Sequence, residues 1–476
     1  MRHLPFLPDP RRQRWLVLGA VVVVVVVASL LLLPSPTGVQ FAPDEDAGDV
    51  PTTTATGPAD GDGTDEDISA KPGEATDPGT TGASSRGGAG GAEEQPFDGT
   101  IHEVADVGGW RTAVAAARPG DVIELVADID QPISYRGPRS PNSRAEAVDG
   151  TAEQPITIRA RPGVWIDPGN LSNQVPGLDV IGAAFVDVVG INVRNSQFGI
   201  RLQRVEGSAE RPVLLSGNTV TDIGHAGIHV AGELTTHAPS RHVRVEGNTV
   251  TRTGQTAPQF GEGIYLGYGS REWVDTTSSV AVVGNQISFT TAEAVDVKPG
   301  TSDILVEGNA IHDLSPISGG AISAHYVGNA PNPDPGRPAN ILVRGNRIWN
   351  LNLDGRSGAN DWAIWVGHGG VTIEGNTIWG LRGNPDQTRA VRVRGLHDFG
   401  PHPIRIVDNV FWTATGWMAE GSPSAAHLVQ ASGNQGPAGA AGVEVALAAG
   451  PEVPALGSGG TADSGHGPGS ALGALD

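Results

Sequence analysis

One short pattern, apolar-x-apolar-x-Gly-Asn-x-apolar, recurs along the chain and constrains its fold more than any other feature. Residues 213–220 carry the first copy, and the later copies follow at spacings of 24 to 37 residues. A motif that recurs at unequal spacings is typical of stacked coils joined by loops of different length. The corner pairs are Gly217-Asn218, Gly247-Asn248, Gly284-Asn285, Gly308-Asn309, Gly345-Asn346, Gly375-Asn376 and Asp408-Asn409.

A second short strand follows each corner, and its apolar and polar residues alternate. Alternation places successive side chains on opposite faces of a sheet. Two or three strands per repeat without intervening helices predict an all-β fold, a right-handed parallel β-helix. A β-sandwich would need hairpin turns such as Asn-Gly, which the chain lacks. The second strands are predicted at residues 199–202, 227–230, 263–266, 294–297, 321–324, 363–366 and 390–393.

The repeated asparagines have a structural interpretation. Asn tolerates the left-handed backbone conformation that a sharp corner can require. Stacked coils would place each Asn about 4.8 Å from the next, so that the amides could form a hydrogen-bonded ladder. A catalytic role is the alternative, but a residue repeated in every coil favours structure.

The chain begins with a predicted membrane anchor. Residues 15–33 carry no charge and fit a hydrocarbon core of about 30 Å. Residues 1–14 contain Arg2, Arg11, Arg12 and Arg14, which predict a cytoplasmic N-terminus and an extracellular location for the rest. A cleaved signal peptide is the alternative, although the apolar run is long and Pro34-Ser35-Pro36 is a poor cleavage site.

Composition separates the remaining parts. Residues 34–97 hold 13 acidic but only two basic residues and almost no large apolar side chains, which predicts a disordered linker. Residues 434–476 form a Gly-, Ala- and Pro-rich tail, also predicted to be disordered, and residues 98–433 form the β-helix domain.

The chain has no Cys and a net charge of −21. The lack of Cys excludes thiolate sites, and the negative charge argues against a nucleic-acid partner. Residues 110–117 are predicted to form a helix that caps the first coil, before a first strand at 121–125.

The capping helix, the strand after Pro119-Gly120-Asp121 and the segment 150–159 resemble the opening of secreted right-handed parallel β-helix proteins. Within that superfamily, the chain resembles chondroitinase B and the related alginate lyases on three successive coils. The matching segments are residues 261–267, 292–298 and 322–325. The resemblance implies a polysaccharide lyase that performs β-elimination on an acidic glycan. It implies Ca²⁺ held by acidic residues, with Lys298 as the base and His325 where the lyases carry an assisting arginine.

Strand alternation makes a separate prediction about the same region. Aligned second strands place Arg201, His229, Tyr265, Asp296, Ser323, Trp365 and Arg392 in one outward row. A second row contains Gln203, Ala231, Gly267, Lys298, His325, Gly367 and Arg394. We expect Glu262, Glu293 and Asp296 to converge as metal ligands, with Tyr265, Trp365, Arg392 and Arg394 binding substrate. Simple alternation would turn Glu262 and Glu293 inward, so their convergence requires a turn.

The acidic group leaves other interpretations open. Carboxylates can hold calcium, and a metal would neutralise a uronate while a lysine takes the neighbouring proton. Two carboxylates could instead serve a glycosidase, or the charges could form a surface ion-pair network of little energetic value. Lys298 and His325 favour the lyase.

Tryptophans form one more outward row. Trp349, Trp379 and Trp412 each stand three residues after a corner Asn. We expect Trp349 and Trp379 to offer a platform for sugar rings; the alternative is that a loop or the tail covers the row. Three classes of function remain: a surface-tethered carbohydrate-active enzyme, a noncatalytic protein that binds a polysaccharide or cell-wall glycan, and a structural or adhesive protein. We expect a monomer.

Overall fold

The computed structural model describes residues 99–436 except 142–146, 173–174, 270–272, 318, 325–337, 354–361, 384–387, 394–400, 413–416 and 420–427. The predicted anchor, linker and all of the predicted tail beyond residue 436 lie outside these residues. Among the described residues, no helix is long and apolar enough to span a membrane.

Three parallel sheets, with twelve, nine and ten strands in the described residues, wind around one apolar core. Sheet 1 contains Ile101–Val104, Val122–Leu125, Ile156–Ala160, Val186–Val189, Val213–Ser216, Arg241–Glu246, Ser278–Val283, Ser302–Glu307, Ile341–Arg344, Val371–Glu374, Ile404–Val407 and Val429–Ser432. Sheet 2 contains Trp165–Ile166, Asn192–Arg194, Thr219–Thr221, Thr249–Thr251, Gln286–Ser288, Ala310–His312, Arg347–Trp349, Thr377–Trp379 and Val410–Trp412. Sheet 3 contains Ile133–Arg136, Pro176–Ile181, Phe198–Gln203, Ile228–Ala231, Ile264–Leu266, Val295–Val297, Ile322–Ala324, Trp362–Val366, Arg389–Val393 and Trp417–Ala419. Strand order within each sheet follows the coils in sequence, which is the arrangement of the predicted parallel β-helix.

The core consists of identical positions stacked from coil to coil. Val220 pairs with Val250, Val250 with Ile287, and Ile287 with Ile311, and all four side chains are fully buried. Ile348 and Ile378 continue the same row. Each buried aliphatic side chain contributes about 1.5–3 kcal/mol of transfer free energy, so stability is spread along the whole solenoid.

The corner asparagines form the predicted amide ladder. The Nδ2 of Asn285 donates to the Oδ1 of Asn309 at 2.9 Å, and equivalent bonds join Asn218 through to Asn434. Asn434 is an additional rung, at a position that the sequence analysis placed in the tail. The predicted backbone conformation of the asparagines is wrong, because the left-handed residue is the one before each Asn: Gly284 has a φ of +60° and Asp408 a φ of +55°. Glycine bears this conformation without steric cost, while the Asn amide is left to bond along the stack.

The N-terminal cap is a helix as predicted, but it begins three residues earlier than residues 110–117 indicated, and a strand precedes it. Its helix, Val107–Ala116, is capped by the Asp106 carboxylate, which accepts a hydrogen bond from the Gly109 amide. Trp110 is buried against the first coil and donates from its indole nitrogen to the Ser134 carbonyl. The sequence analysis missed the strand Ile101–Val104, which precedes the helix and pairs with Val122–Leu125. A 3₁₀ helix, Pro258–Phe260, lies beside the candidate site described next.

Candidate functional site

Three carboxylates meet on sheet 3 at the middle of the solenoid. Ligand atoms of Glu262, Glu293 and Asp296 all lie within 4.8 Å of one another. The three side chains are at most 6% exposed. We call them the acidic cluster.

The acidic cluster exists because the chain turns just before sheet 3. The strand of this coil begins at Val295, so Glu293 precedes it and does not follow strand alternation. The Gly263 amide donates to the Glu293 carbonyl, which places Glu262 and Glu293 on adjacent coils. Asp296, one residue into the strand, shares their side of the sheet. The turn that the sequence analysis required is therefore present.

Lys298 adjoins the acidic cluster. Its Nζ lies 2.9 Å from the Asp296 carboxylate and 5.2 Å from the centre of the Tyr265 ring. The Tyr265 hydroxyl accepts a hydrogen bond from the Gly269 amide. A lysine and a phenol from adjacent coils thus flank the carboxylates.

Burial makes this group of charges electrostatically unfavourable. Desolvation raises the pKa of Glu293 well above its usual value, and the neighbouring Asp296 and Glu262 raise it further while Lys298 lowers it. Desolvation also raises the pKa of Tyr265, which therefore keeps its proton at neutral pH. An exposed ion-pair network would show little of this strain, so the surface-network interpretation does not describe these residues.

Gly319 lies directly against one of the carboxylates. It has a φ of +70°, and a Cβ at this position would stand 1.8 Å from the Glu293 Oε1. Only glycine allows both this backbone conformation and this close approach. A side chain at position 319 would therefore displace the Glu293 carboxylate.

The acidic cluster is the middle of a longer surface on sheet 3. Asp296 pairs in register with Tyr265 on one side and Ser323 on the other. The whole row, in order, is Asp179, Arg201, His229, Tyr265, Asp296, Ser323, Trp365 and Arg392. The register of the outward row therefore agrees with strand alternation, but most of its side chains are buried, whereas alternation alone implied exposure.

On the N-terminal side of the acidic cluster, aromatic side chains pack against this row and bury it. The Tyr268 ring packs edge-on against His229, and its hydroxyl accepts a hydrogen bond from Gln203. His229 is buried, which lowers its pKa to about 3, and its neutral ring donates from Nε2 to the Gly267 carbonyl. On the next coil towards the N-terminus, the Arg201 guanidinium donates two hydrogen bonds to the Asp179 carboxylate.

Towards the C-terminus, two tryptophans and an arginine follow the acidic cluster. The rings of Trp362 and Trp365 lie 4.5 Å apart, and the Arg392 guanidinium lies 5.4 Å from the centre of each. Trp365 and Arg392 were predicted substrate-binding residues, and they lie two and three coils from Asp296. His325 and Arg394, predicted as a catalytic and a substrate-binding residue, lie outside the described residues.

Trp349 and Trp379 form a stacked pair on sheet 2. Their rings stack 5.0 Å apart at 4°, and His312 stacks on Trp349 at 4.5 Å. Arg347 lies 5.5 and 5.9 Å from the centres of the two tryptophan rings. Both faces of Trp349 are therefore covered, whereas these rings cover only one face of Trp379. The stack stabilises the packing of successive coils, and sugar binding by the two tryptophans stays a prediction.

The donors present fit a divalent, oxygen-preferring cation. Ca²⁺ prefers several carboxylate and carbonyl oxygens, and three carboxylates already converge here. With all groups ionised, three negative charges and one lysine leave a net charge of −2, which a divalent ion would neutralise. Gly319 leaves room for the Glu293 carboxylate at this position, which a larger residue would occupy.

Sequence reasoning overlooked several residues around this site. Gly319, Tyr268 and Trp362 contact the predicted residues through loops or across coils. The position of Trp362, immediately before the buried pair Ala363-Ile364, corresponds to those of Glu262 and Glu293, and this correspondence was visible in the repeat.

Comparisons with known proteins concern the fold. No model of a protein family matches the chain, and no curated protein matches it at a significant score. An alginate lyase from a Paenibacillus species is similar with a TM-score of 0.47 and 20% identity, over 72% of this chain and 96% of the lyase. A pectate lyase is similar with a TM-score of 0.37 and 13% identity, over 68% of this chain and 73% of the pectate lyase chain. The catalytic unit of an α-1,3-glucanase from Streptomyces thermodiastaticus is similar with a TM-score of 0.39 and 16% identity, over 72% of this chain and 69% of the glucanase chain. Similarity at this level concerns the path of the backbone, so the chemistry has to be judged from the side chains.

Proposed function

We propose that the protein is a carbohydrate-active enzyme, a calcium-dependent lyase that cleaves an acidic glycan by β-elimination. The observation that carries the proposal is the convergence of three buried carboxylates beside a buried lysine. Buried like charges are destabilising unless something compensates them. Perturbed ionisable groups of this kind are concentrated at functional sites.

Glu262, Glu293 and Asp296 would hold Ca²⁺. When bound, the ion would neutralise the carboxylate of a uronic acid and so favour removal of the proton on the adjacent carbon. The neighbouring residues perform the remaining chemistry.

Lys298 is the proposed base. Ca²⁺ held by the three carboxylates would offset the negative charge that keeps Lys298 protonated, so that its Nζ could be neutral. The neutral Nζ would accept the proton from the carbon next to the uronate carboxylate. The electrons of that C–H bond form a C=C bond as the glycosidic C–O bond breaks. Tyr265 keeps its phenolic proton and would donate it to the departing oxygen, so that each proton and electron pair is accounted for.

The location of the enzyme is a proposal from the sequence. Residues 15–33 would anchor the chain in the cell membrane, and residues 34–97 would tether the β-helix outside the cell. There it would meet polysaccharide or cell-wall glycan.

A structural protein is the second candidate, favoured by the low exposure of the acidic cluster. In that case a bound ion would join neighbouring coils without any chemistry. The two candidates share calcium binding and differ in products.

The deciding experiment is a panel of acidic polysaccharides incubated with the protein, with calcium or with a chelator. We expect one of the polysaccharides to give unsaturated products that absorb in the ultraviolet. Their formation should depend on calcium and should be lost in Lys298→Ala. Calcium binding without products on any glycan would favour the structural protein. Products that survive Lys298→Ala would remove the assigned base.

A further inference from the structure

Next to the acidic cluster, two successive coils each carry a buried hydrogen-bond donor without a partner. The Ser323 hydroxyl and the Trp362 indole nitrogen find no acceptor among the described residues. Ser323 is 0% exposed and Trp362 3% exposed. A buried donor left unpaired costs about 1–3 kcal/mol, so each position calls for an explanation.

The two donors lie on neighbouring coils and on the same side of sheet 3, because the Trp362 ring packs against Trp365, the in-register partner of Ser323. Ser323 stands in register between Asp296 and Trp365, so it shares their face of sheet 3. The Trp362 Cδ1 atom, which is bonded to the indole nitrogen, lies 2.8 Å from where a Cβ on Gly320 would be. The Trp362 indole therefore lies against the coil that carries Ser323. That coil follows the one that carries Glu293 and Asp296.

The acidic cluster lies on one side of these donors, and positive charge lies on the other, towards the C-terminus. The Arg392 guanidinium lies 5.4 Å from the centre of the Trp362 ring, and Arg389 pairs in register with Trp362. Two neutral donors beside an arginine form an environment for an anionic acceptor rather than for a cation.

We propose that Ser323 and Trp362 bind the carboxylate of a uronic acid on the C-terminal side of the acidic cluster and so select acidic over neutral sugars. This inference rests on the proposed function, because it names a recognition element of the same site. Strand alternation placed Ser323 in the outward row, but neither alternation nor the resemblance to lyases gave Ser323 or Trp362 a binding role. The donors are unpaired in the free protein because their acceptor arrives with the ligand.

Stability of the free protein provides a first test that needs no activity. We expect Ser323→Ala to leave the thermal midpoint unchanged or raise it, because the variant removes an unpaired buried hydroxyl. The matched control is Ser288→Ala, whose hydroxyl is bonded to Thr251 at 3.1 Å and whose loss should lower the midpoint. A midpoint lowered as much by Ser323→Ala as by the control would overturn the proposal, because the hydroxyl would then have a structural partner.

Binding provides the second test. Methyl glycosides of glucuronate, galacturonate, mannuronate and guluronate have no glycosidic bond at C4 and cannot be eliminated, so their affinities can be measured by NMR titration against the matching neutral glycosides. We expect at least one uronate to be preferred, and about a tenfold loss of that preference in Ser323→Ala and in Trp362→Phe, which keeps a ring but removes the N–H. Ser288→Ala and Trp165→Phe, both on sheet 2, should retain it. No preference for any uronate, or a preference that both variants retain, would overturn the proposal.

The two proposals fail separately. A uronate preference lost in the variants, together with no unsaturated products from any polysaccharide, would remove the lyase and leave the uronate site standing. Unsaturated products together with an unchanged preference would remove the uronate site and leave the lyase.

Discussion

Lys298 and Asp296 form an ion pair of 2.9 Å in which the side chains are only 11% and 1% exposed. They lie two residues apart on one coil, so the backbone holds them together without a loop. Glu262 and Glu293 add two more carboxylates from the turns before sheet 3. The pair therefore neutralises only part of the local charge, and the predictions below follow from this imbalance.

Calcium should stabilise the protein through the acidic cluster. We expect millimolar calcium to raise the thermal midpoint of the protein, because an ion that binds only the folded state stabilises it by mass action. Glu293→Gln and Asp296→Asn should each abolish most of this increase. Glu374→Gln, on an exposed position of sheet 1, serves as the control and should respond to calcium like the wild type. Calorimetry would show whether the heat of binding disappears in the same two variants.

Gly319→Ala should damage the site more than a comparable change elsewhere. The added Cβ would stand 1.8 Å from the Glu293 Oε1, and the backbone has a φ of +70°. Gly217→Ala is the matched control, because its φ is +61° but nothing lies within 4 Å of the new Cβ. Both variants should lose about 1–3 kcal/mol through backbone strain. Only Gly319→Ala should also weaken calcium binding, and equal calcium affinity in the two would contradict the assigned role.

The amide ladder should contribute strongly to stability. The Asn285 side chain makes four hydrogen bonds, to Asn309, Val245 and both the backbone and side-chain nitrogen of Asn248. Asn285→Ala would leave buried groups unpaired and should cost about 2–5 kcal/mol. The same change at the terminal rung, Asn434, should cost less because fewer partners are lost. Denaturant unfolding of the two variants would compare them directly.

Acid should destabilise the protein through buried histidines. Burial lowers the pKa of His229 from 6.5 to about 3 and that of His225 to about 4. Below pH 6.5 the unfolded chain therefore binds protons that the folded one does not, so stability falls as the pH drops from about 6.5 towards these values. Each histidine contributes a slope of at most about 1.4 kcal/mol per pH unit. Unfolding of His229→Gln between pH 4 and 7 should show a shallower dependence, and an unchanged slope would exclude this origin.

The membrane topology can be tested on intact cells. Protease added outside should cut within residues 34–97 and release a soluble β-helix, while an uncut chain should stay with the membrane fraction. Recovery of the full-length protein in the soluble cytoplasmic fraction would contradict the proposed anchor.

Much of the solenoid follows from local sequence pattern. The repeat predicts that Val220, Val250 and Ile287 stack inside, and that His229, Tyr265 and Asp296 occupy one row. Both predictions are confirmed because a strand's period of two and the backbone pairing between coils are local properties. The strand Ile101–Val104 was missed because it is short and its pairing partner lies beyond an intervening helix.

The sequence by itself determined which residues repeat, which of them face the core and which share a row along the solenoid. Only the tertiary structure decided that Glu262 and Glu293 turn towards Asp296. It also decided that Gly319 lies against the Glu293 carboxylate and that the rings of Trp349 and Trp379 stack on each other. The physical reason is that alternation describes a residue within its strand, whereas these contacts join turns, loops and rings on different coils. Their geometry depends on how successive coils stack, and a pattern read along one strand carries no information about that.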